Sequence, residues 1–182
     1  TGAGAFTGSQ FMRYVDTTTA PNLRATFTPI TGVFQLSWDY FEPNATIAGT
    51  ATHFRMLLSS GTSATTTNRA VDLLFSAPND GAATAGQTTN WSDGLTNLAA
   101  YATNSLAHFD IVGNVGGSTT YAGGDLPTQT IDLYFNSVLV GDNLPFRAPN
   151  DGGSALAQID ELGVGFPSGA ASRVQTVFVD NI

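Results

Sequence analysis

The stretch Gly32-Val-Phe-Gln-Leu-Ser-Trp-Asp-Tyr-Phe41 alternates between apolar and polar side chains. Successive side chains of an extended chain point to opposite faces, so this stretch has one apolar face and one polar face. The apolar face carries Phe34, Leu36, Trp38 and Tyr40, and the polar face carries Gln35, Ser37 and Asp39. The alternation predicts a β-strand that is buried on one side, with Trp38 in the core.

Other stretches of the chain have the same β-type composition. They are residues 9–16, 22–30, 53–60, 70–76, 107–115, 129–141, 157–166 and 174–182. Gly, Pro, Asn and Asp separate nearly all of them, which predicts turns between consecutive strands. Many short strands joined by turns are typical of an all-β fold, an antiparallel β-sandwich or jelly roll. No linker divides the chain, so we expect residues 1–182 to form a single jelly-roll domain.

One segment breaks the alternation. Four residues in it have the spacing of a single helical face: Leu95, Leu98, Ala99 and Ala102. Ser92 or Asp93 is available as an N-cap, so the segment predicts a short helix from Gly94 to Thr103. The glycine-rich residues 113–125 predict a loop or a hairpin.

The charge of the chain limits its partners. Only 11% of residues are charged, the net charge is −8, and the chain has six arginines and no lysine. Nucleic acids and anionic membrane surfaces require clustered basic residues, so neither is an expected partner. No apolar run approaches the roughly 20 residues that span a bilayer, so we expect no membrane insertion. An acidic surface without lysine favours an extracellular or cell-surface location in bacteria, and the chain resembles a mature or excised segment.

The pentapeptide Ala-Pro-Asn-Asp-Gly occurs twice, at residues 77–81 and 148–152. Pro presets the second position of a β-turn, Asn and Asp hydrogen-bond their own backbone, and Gly closes the turn without steric cost. A calcium loop is the alternative, with Asp80 or Asp151 as a ligand, but such loops usually supply several oxygen side chains. We therefore favour the same turn used twice.

Asp180 suggests a different calcium site. It lies near the end of the last predicted strand, where its carboxylate can meet the N-terminal strands. A structural calcium ion shared with Asp39 or Glu42 is one interpretation, and no other cofactor is expected. The alternative is a carboxylate that accepts hydrogen bonds from backbone N–H groups.

The sequence shows no catalytic constellation. His53 and His108 each begin a β-type run, with no other His, Asp or Glu at metal-ligand spacing. The two glutamates, Glu42 and Glu161, lie far apart in sequence, and Asp160 and Glu161 point to opposite faces if they lie in a strand. We therefore expect a protein that is not an enzyme.

Two aromatic residues lie in polar segments and are candidates for contact with sugar rings. They are Trp91 and Tyr121, and Asn90, Asp93 and Asp125 are the polar side chains near them in the sequence. Aromatic rings that face solvent can stack on sugars, but the same rings can also plug the end of a sandwich. Both interpretations stay open at this point.

The second half of the chain resembles the LamG-type, concanavalin A-like jelly rolls of secreted bacterial surface proteins. The similarity is carried by residues 108–125, 130–147 and 159–182, including Asp-Leu-Tyr at 132–134, Phe-Arg at 146–147 and the closing Val-Asp-Asn-Ile. The first half is similar only in its pattern of strands. Asn136-Ser137 stands where that family has Asn/Asp-Gly, so the hairpin there is expected to differ.

The resemblance implies either a surface role or glycan binding, because this fold hosts both. The glutamate pair of the family's carbohydrases is absent from this chain. We first expect a structural subunit of a surface layer, matrix or fibre, in which extended ends add strands to the sheet edges of other copies. The alternative is a lectin-like module that binds extracellular polysaccharide.

Overall fold

A computed structural model describes residues 12–16, 23–43, 53–61, 66–76, 83–87, 96–102, 104–150, 152–165 and 175–180. Fourteen strands lie in these ranges. Six of them form one antiparallel sheet, the front sheet, in the order β1-β14-β3-β8-β11-β12. Their bounds are β1 Met12–Asp16, β3 Val33–Phe41, β8 Leu106–Asn114, β11 Thr130–Phe135, β12 Val138–Pro145 and β14 Gln175–Asp180.

Six further strands form the back sheet, in the order β2-β13-β4-β5-β6-β7. Their bounds are β2 Leu23–Ile30, β4 His53–Ser59, β5 Arg69–Ser76, β6 Ala83–Gln87, β7 Thr96–Tyr101 and β13 Ile159–Gly165. A separate two-stranded hairpin joins β9 Thr119–Tyr121 to β10 Gly124–Leu126. A 3₁₀ turn, Thr66–Asn68, and one short helix, α1 Arg147–Asn150, complete the elements. The architecture is the antiparallel β-sandwich that the alternation in the sequence predicted.

The two sheets enclose an aromatic core. Phe34, Trp38 and Tyr40 of β3 are buried, while Gln35 is exposed, which confirms the alternation predicted for this strand. The Trp38 ring is fully buried and stacks on Phe109 of β8, its cross-strand partner, with ring centroids 5.4 Å apart. Side chains of both sheets therefore meet in one continuous hydrophobic cluster.

The last strand lies between two N-terminal strands of the front sheet. β14 pairs with β1 on one side and with β3 on the other. This pairing sets Asp180 directly opposite Asp39. The prediction that Asp180 meets the N-terminal part of the chain is therefore confirmed.

The helix predicted from Gly94 to Thr103 is wrong. Thr96–Tyr101 is the strand β7, which pairs with β6 in an antiparallel ladder. The apolar residues of this segment, which include Leu98 and Ala99, fit helical spacing over only a few positions. Pairing with β6 and the burial of Tyr101 favour the extended conformation instead. The only α-helix in the described ranges is α1, and no helix in them is long and apolar enough to cross a membrane.

The second Ala-Pro-Asn-Asp-Gly copy begins within α1 rather than in a simple β-turn. Gly152 has a φ of 77°, its N–H donates to the carbonyl of Pro149, and the N–H of Gly153 donates to the carbonyl of Ala148. This is the Schellman pattern that ends a helix, and glycine supplies its left-handed residue. The first copy, with Asp80, lies outside the described residues, as does Asp151.

The hairpin between β11 and β12 turns on Asn136 and Ser137. Both residues have positive φ, 48° and 67°, between the paired residues Phe135 and Val138. Positive φ at both central positions defines a type I′ turn, which matches the twist of the flanking strands. Ser137 therefore occupies a position that usually favours glycine, and the turn keeps its tight two-residue form.

A buried ionic cluster fastens α1 to the back sheet. Asp72 is fully buried, and its carboxylate lies 2.9 Å from the Nε of Arg55 and 2.9 Å from an Nη of Arg69. Arg147 of α1, also fully buried, donates to the same carboxylate. Three of the six arginines thus gather around one aspartate on the side of the back sheet that faces away from the core.

Candidate functional site

The outer face of the front sheet carries a continuous set of polar side chains. Residues on β3, β8, β11 and β14 that alternate with core residues point to this face. We call it the polar sheet face and define it by Ser37, Asp39, His108, Asp110, Asp132, Tyr134 and Asp180. The sheet register places them in adjacent rows, with Asp180, Asp39 and His108 in one row and Ser37, Asp110 and Tyr134 in the next.

His108 links two carboxylates across the polar sheet face. Its Nδ1 lies 2.6 Å from Asp39 Oδ1, and its Nε2 lies 3.3 Å from Asp110 Oδ2. The hydrogen bond to Asp39 is the main cause that raises the pKa of His108, and the charge of Asp110 acts in the same direction against the opposing effect of burial. The imidazole can therefore carry a proton in the middle of an acidic surface.

Ser37 lies beside Asp110 but does not form a nucleophilic triad with His108. Its hydroxyl donates to Asp110 Oδ1 at 2.5 Å, so it is hydrogen-bonded to a carboxylate and not to the imidazole. A serine nucleophile requires a base that accepts its proton, usually a histidine. The arrangement instead suits the binding of hydroxyl groups, with carboxylate oxygens as acceptors.

A short hairpin covers one end of the polar sheet face. Tyr121, at the end of β9, donates its hydroxyl to Asp132, and the Tyr121 and Tyr134 hydroxyl oxygens lie 2.5 Å apart. The backbone N–H of Asn143 donates to the other oxygen of Asp132 at 2.7 Å. Burial, and then the bond to Asp132, raises the pKa of Tyr121, so its hydroxyl stays protonated near neutral pH.

Gly123 allows the hairpin to approach this closely. A Cβ at this position would overlap the hydroxyl oxygens of Tyr121 and Tyr134. A side chain at this position would therefore displace the two phenols, because the backbone passes close to their hydroxyl groups. The hairpin forms a wall at the β11 side of the polar sheet face.

The three candidate calcium ligands are only partly brought together. Asp39 and Asp180 are cross-strand neighbours on the polar sheet face. Glu42 is buried on the other side of the sheet and accepts hydrogen bonds from Tyr101, at 2.8 Å, and Tyr40, at 3.2 Å. Across the ranges given above, no group of three or more His, Asp or Glu side chains has the arrangement of a metal site.

The residues predicted for glycan contact divide in a similar way. Trp91, Asn90 and Asp93 lie outside the described residues. Tyr121 faces the front sheet, whereas Asp125 is exposed and pairs with Thr120, so the two point to opposite sides of the hairpin. Tyr121 is therefore the predicted aromatic residue that the fold places at the polar sheet face.

Sequence reasoning missed most of this face. The sequence alone indicated no partner for His108. The fold places it between Asp39, which is far away in sequence, and Asp110, which lies two residues along the same strand. One sequence feature could have indicated this face: polar residues alternate with core residues in Ser-Trp-Asp at 37–39 and in His-Phe-Asp at 108–110. Each pair is unremarkable alone, and only the strand register brings the two pairs together.

We expect His108→Gln to lower the free energy of unfolding at about pH 5.5 by less than about 1 kcal/mol, because the pair is partly exposed. The folded pKa is raised, so the stabilisation is complete below the unfolded pKa of about 6.5 and is lost as the pH rises through the folded pKa. Urea unfolding of the parent and of His108→Gln, at pH values below and above the folded pKa of His108, measures the difference. A difference that grows toward alkaline pH would contradict the assignment.

The fold is an antiparallel β-sandwich, and this face gives its front sheet a polar outer surface. No family model and no curated protein matches the sequence. Solved structures do match the fold. A sialidase aligns with 96% of this chain at 12% identity and a TM-score of 0.63, and the chain spans 15% of that protein's length.

Two smaller proteins match along most of their own length. Alginate lyase vAL-1 from Chlorella virus aligns with 97% of this chain and 84% of its own, at 10% identity and a TM-score of 0.51. Crh5 transglycosylase in complex with NAG aligns with 95% of this chain and 74% of its own, at 12% identity and a TM-score of 0.52. At these identities the similarity is one of fold.

Proposed function

We propose that the polar sheet face binds carbohydrate and does so without cleaving it. The observation that carries this proposal is the His108 network, in which Asp39, Asp110 and Ser37 present hydrogen-bond acceptors in adjacent rows of one sheet. A sugar offers several hydroxyl groups at similar spacing, each able to donate and accept a hydrogen bond. Preformed networks of this kind bind such groups at a low entropic cost.

The two tyrosines at the end of the polar sheet face support the same proposal. Tyr121 and Tyr134 are partly exposed. The Tyr121 hydroxyl is bound to Asp132 and to the Tyr134 hydroxyl, so both rings are held in place at the end of the face. A tyrosine side chain combines a flat apolar ring with a polar tip, which suits contact with a sugar. The fold neighbours named as a sialidase, an alginate lyase and a transglycosylase in complex with NAG add weaker support.

A glycan array read with the intact protein and matched variants tests this proposal. We expect Asp110→Ala and Tyr134→Ala each to weaken binding of the best glycan by about tenfold or more, since each loses contacts to the ligand. Thr28→Ala, on the exposed surface of β2, serves as the control and should bind like the parent. Release of new reducing ends during incubation would contradict the non-catalytic part, and equal binding by all variants would contradict the site.

Assembly with other copies at an extracellular bacterial surface is the second candidate function. The supporting observation is β2, which has eight residues, lies at the edge of the back sheet among the described strands and leaves Leu23 52% exposed. An exposed edge strand offers unpaired backbone groups to a second chain. Light scattering of the untagged protein, with and without a calcium chelator, tests this candidate, and a monomer in both conditions would contradict it.

A further inference from the structure

We propose that the polar sheet face selects carbohydrates by charge, binding amine-bearing glycans more tightly than their neutral forms and rejecting acidic ones. This inference rests on the proposed function, because it names the class of glycan that the same face takes. It follows from the charges that surround the face and from the positions of the basic residues.

The polar sheet face has an excess of carboxylates. Four aspartates belong to it: Asp39, Asp110, Asp132 and Asp180. His108 is the base between two of them, and Asp132 is held by a tyrosine hydroxyl and a backbone N–H, which are neutral donors. The carboxylates of Asp110 and Asp132 alone outweigh the single charge of a protonated His108, so the face keeps a negative charge.

The arginines of the described ranges are committed elsewhere or lie at the margin. Three surround Asp72 on the back sheet, as described above, and Arg24 forms an ion pair with Glu161, also on the back sheet, at 3.0 Å. Arg13 shares the outer face of the front sheet on β1, next to the strand of Asp180 and three strands from β8. The chain has no lysine to add.

Partial burial makes this charge selective. The side chains of Asp39 and Asp110 are 16% and 22% exposed, so water screens them less than it screens fully exposed groups. A ligand carboxylate or sulfate placed beside them meets like charge, whereas a ligand ammonium group forms charge-assisted hydrogen bonds to the same oxygens. Neutral hydroxyl and acetamido groups fall between these two cases.

The test uses oligosaccharides of equal length in several charge states. Calorimetric titration compares a chitosan oligosaccharide, its fully N-acetylated form and an oligouronate of equal length, at low and at moderate salt. We expect the free-amine form to bind about tenfold more tightly than the acetylated form at low salt, with an advantage that shrinks as salt rises. The oligouronate should not bind.

Two variants separate the site from the general acidity of the protein. Asp110→Asn keeps a side-chain oxygen on the polar sheet face but removes one of its charges, so it should lower the ratio between free-amine and acetylated forms clearly below the parental value. Asp160→Asn removes the same charge on the back sheet, and its oxygen can still accept the N–H of Gly61, so the ratio should stay at the parental value. Thermal unfolding of both variants verifies that they are folded.

The outcomes are distinct. Equal affinity for the amine and acetylated forms, or tighter binding of the oligouronate, would overturn charge selection while leaving carbohydrate binding intact. An equal effect of both variants would show attraction to the net charge of −8 and would also overturn it. Failure of every oligosaccharide and of the glycan array would instead contradict the proposed function itself.

Discussion

Asp72→Ala should lower the free energy of unfolding by about 3–5 kcal/mol, because it removes one member of a buried charge cluster and leaves charged groups behind. The carboxylate is fully buried and is shared by Arg55, Arg69 and Arg147. Without it, three guanidinium groups would face one another away from bulk water. Urea unfolding followed by tryptophan fluorescence measures the loss.

A control separates this effect from ordinary ion pairing. Arg24→Ala breaks the ion pair with Glu161, in which the arginine side chain is 29% exposed, and should cost clearly less than Asp72→Ala. Asp72→Asn keeps the size and hydrogen-bonding oxygen of the side chain but removes the charge, so most of the loss should remain. A cost below about 1 kcal/mol for Asp72→Ala would show that the cluster is not important for stability.

Trp38→Ala should also destabilise the protein by about 3–5 kcal/mol, because it leaves a large cavity between the sheets. The indole is fully buried, stacked on Phe109 and in edge contact with Phe75 at a centroid distance of 6.4 Å. Neither ring can move far to fill the space, because each is fixed in a strand. Because the change removes one of the two tryptophans, urea unfolding is followed here by far-UV circular dichroism.

Two matched variants sharpen this prediction. Trp38→Phe should cost much less, since among the described residues nothing accepts a hydrogen bond from the buried indole N–H, and the change removes that donor. Ser37→Ala, one residue away on the outer face, should change stability by no more than about 1.5 kcal/mol. If Ser37→Ala cost as much as Trp38→Ala, the alternation assigned to this strand would be wrong.

The strands of the sandwich were largely predictable, because one buried face imposes a period of two on the sequence. The stretch Gly32–Phe41 shows this most clearly. β6, with the sequence Ala-Thr-Ala-Gly-Gln, carries no large apolar side chain and gave no such signal. β7 was mistaken for a helix because its short apolar pattern fits both periods, and only pairing with β6 distinguishes them.

The polar sheet face was less predictable, because it is a product of register. Asp39 meets His108 only when β3 and β8 align residue by residue, and a shift of one position would turn every outward side chain inward. The register between β3 and β8 could not be predicted from a single sequence. The sequence indicated Tyr121 as an aromatic residue in a polar segment. Its contacts with Asp132 and Tyr134 exist only where the hairpin folds over β11.

The place of β14 between β1 and β3 has a consequence for how the chain folds. Residues 33–41 cannot complete their pairing until residues 175–180 arrive, and β2 likewise waits for β13. Contacts between such distant segments close long loops, and proteins rich in them cross the folding barrier slowly, on a scale of about milliseconds to seconds. During synthesis on the ribosome, β2 and β3 would therefore remain incompletely paired until β13 and β14 have emerged.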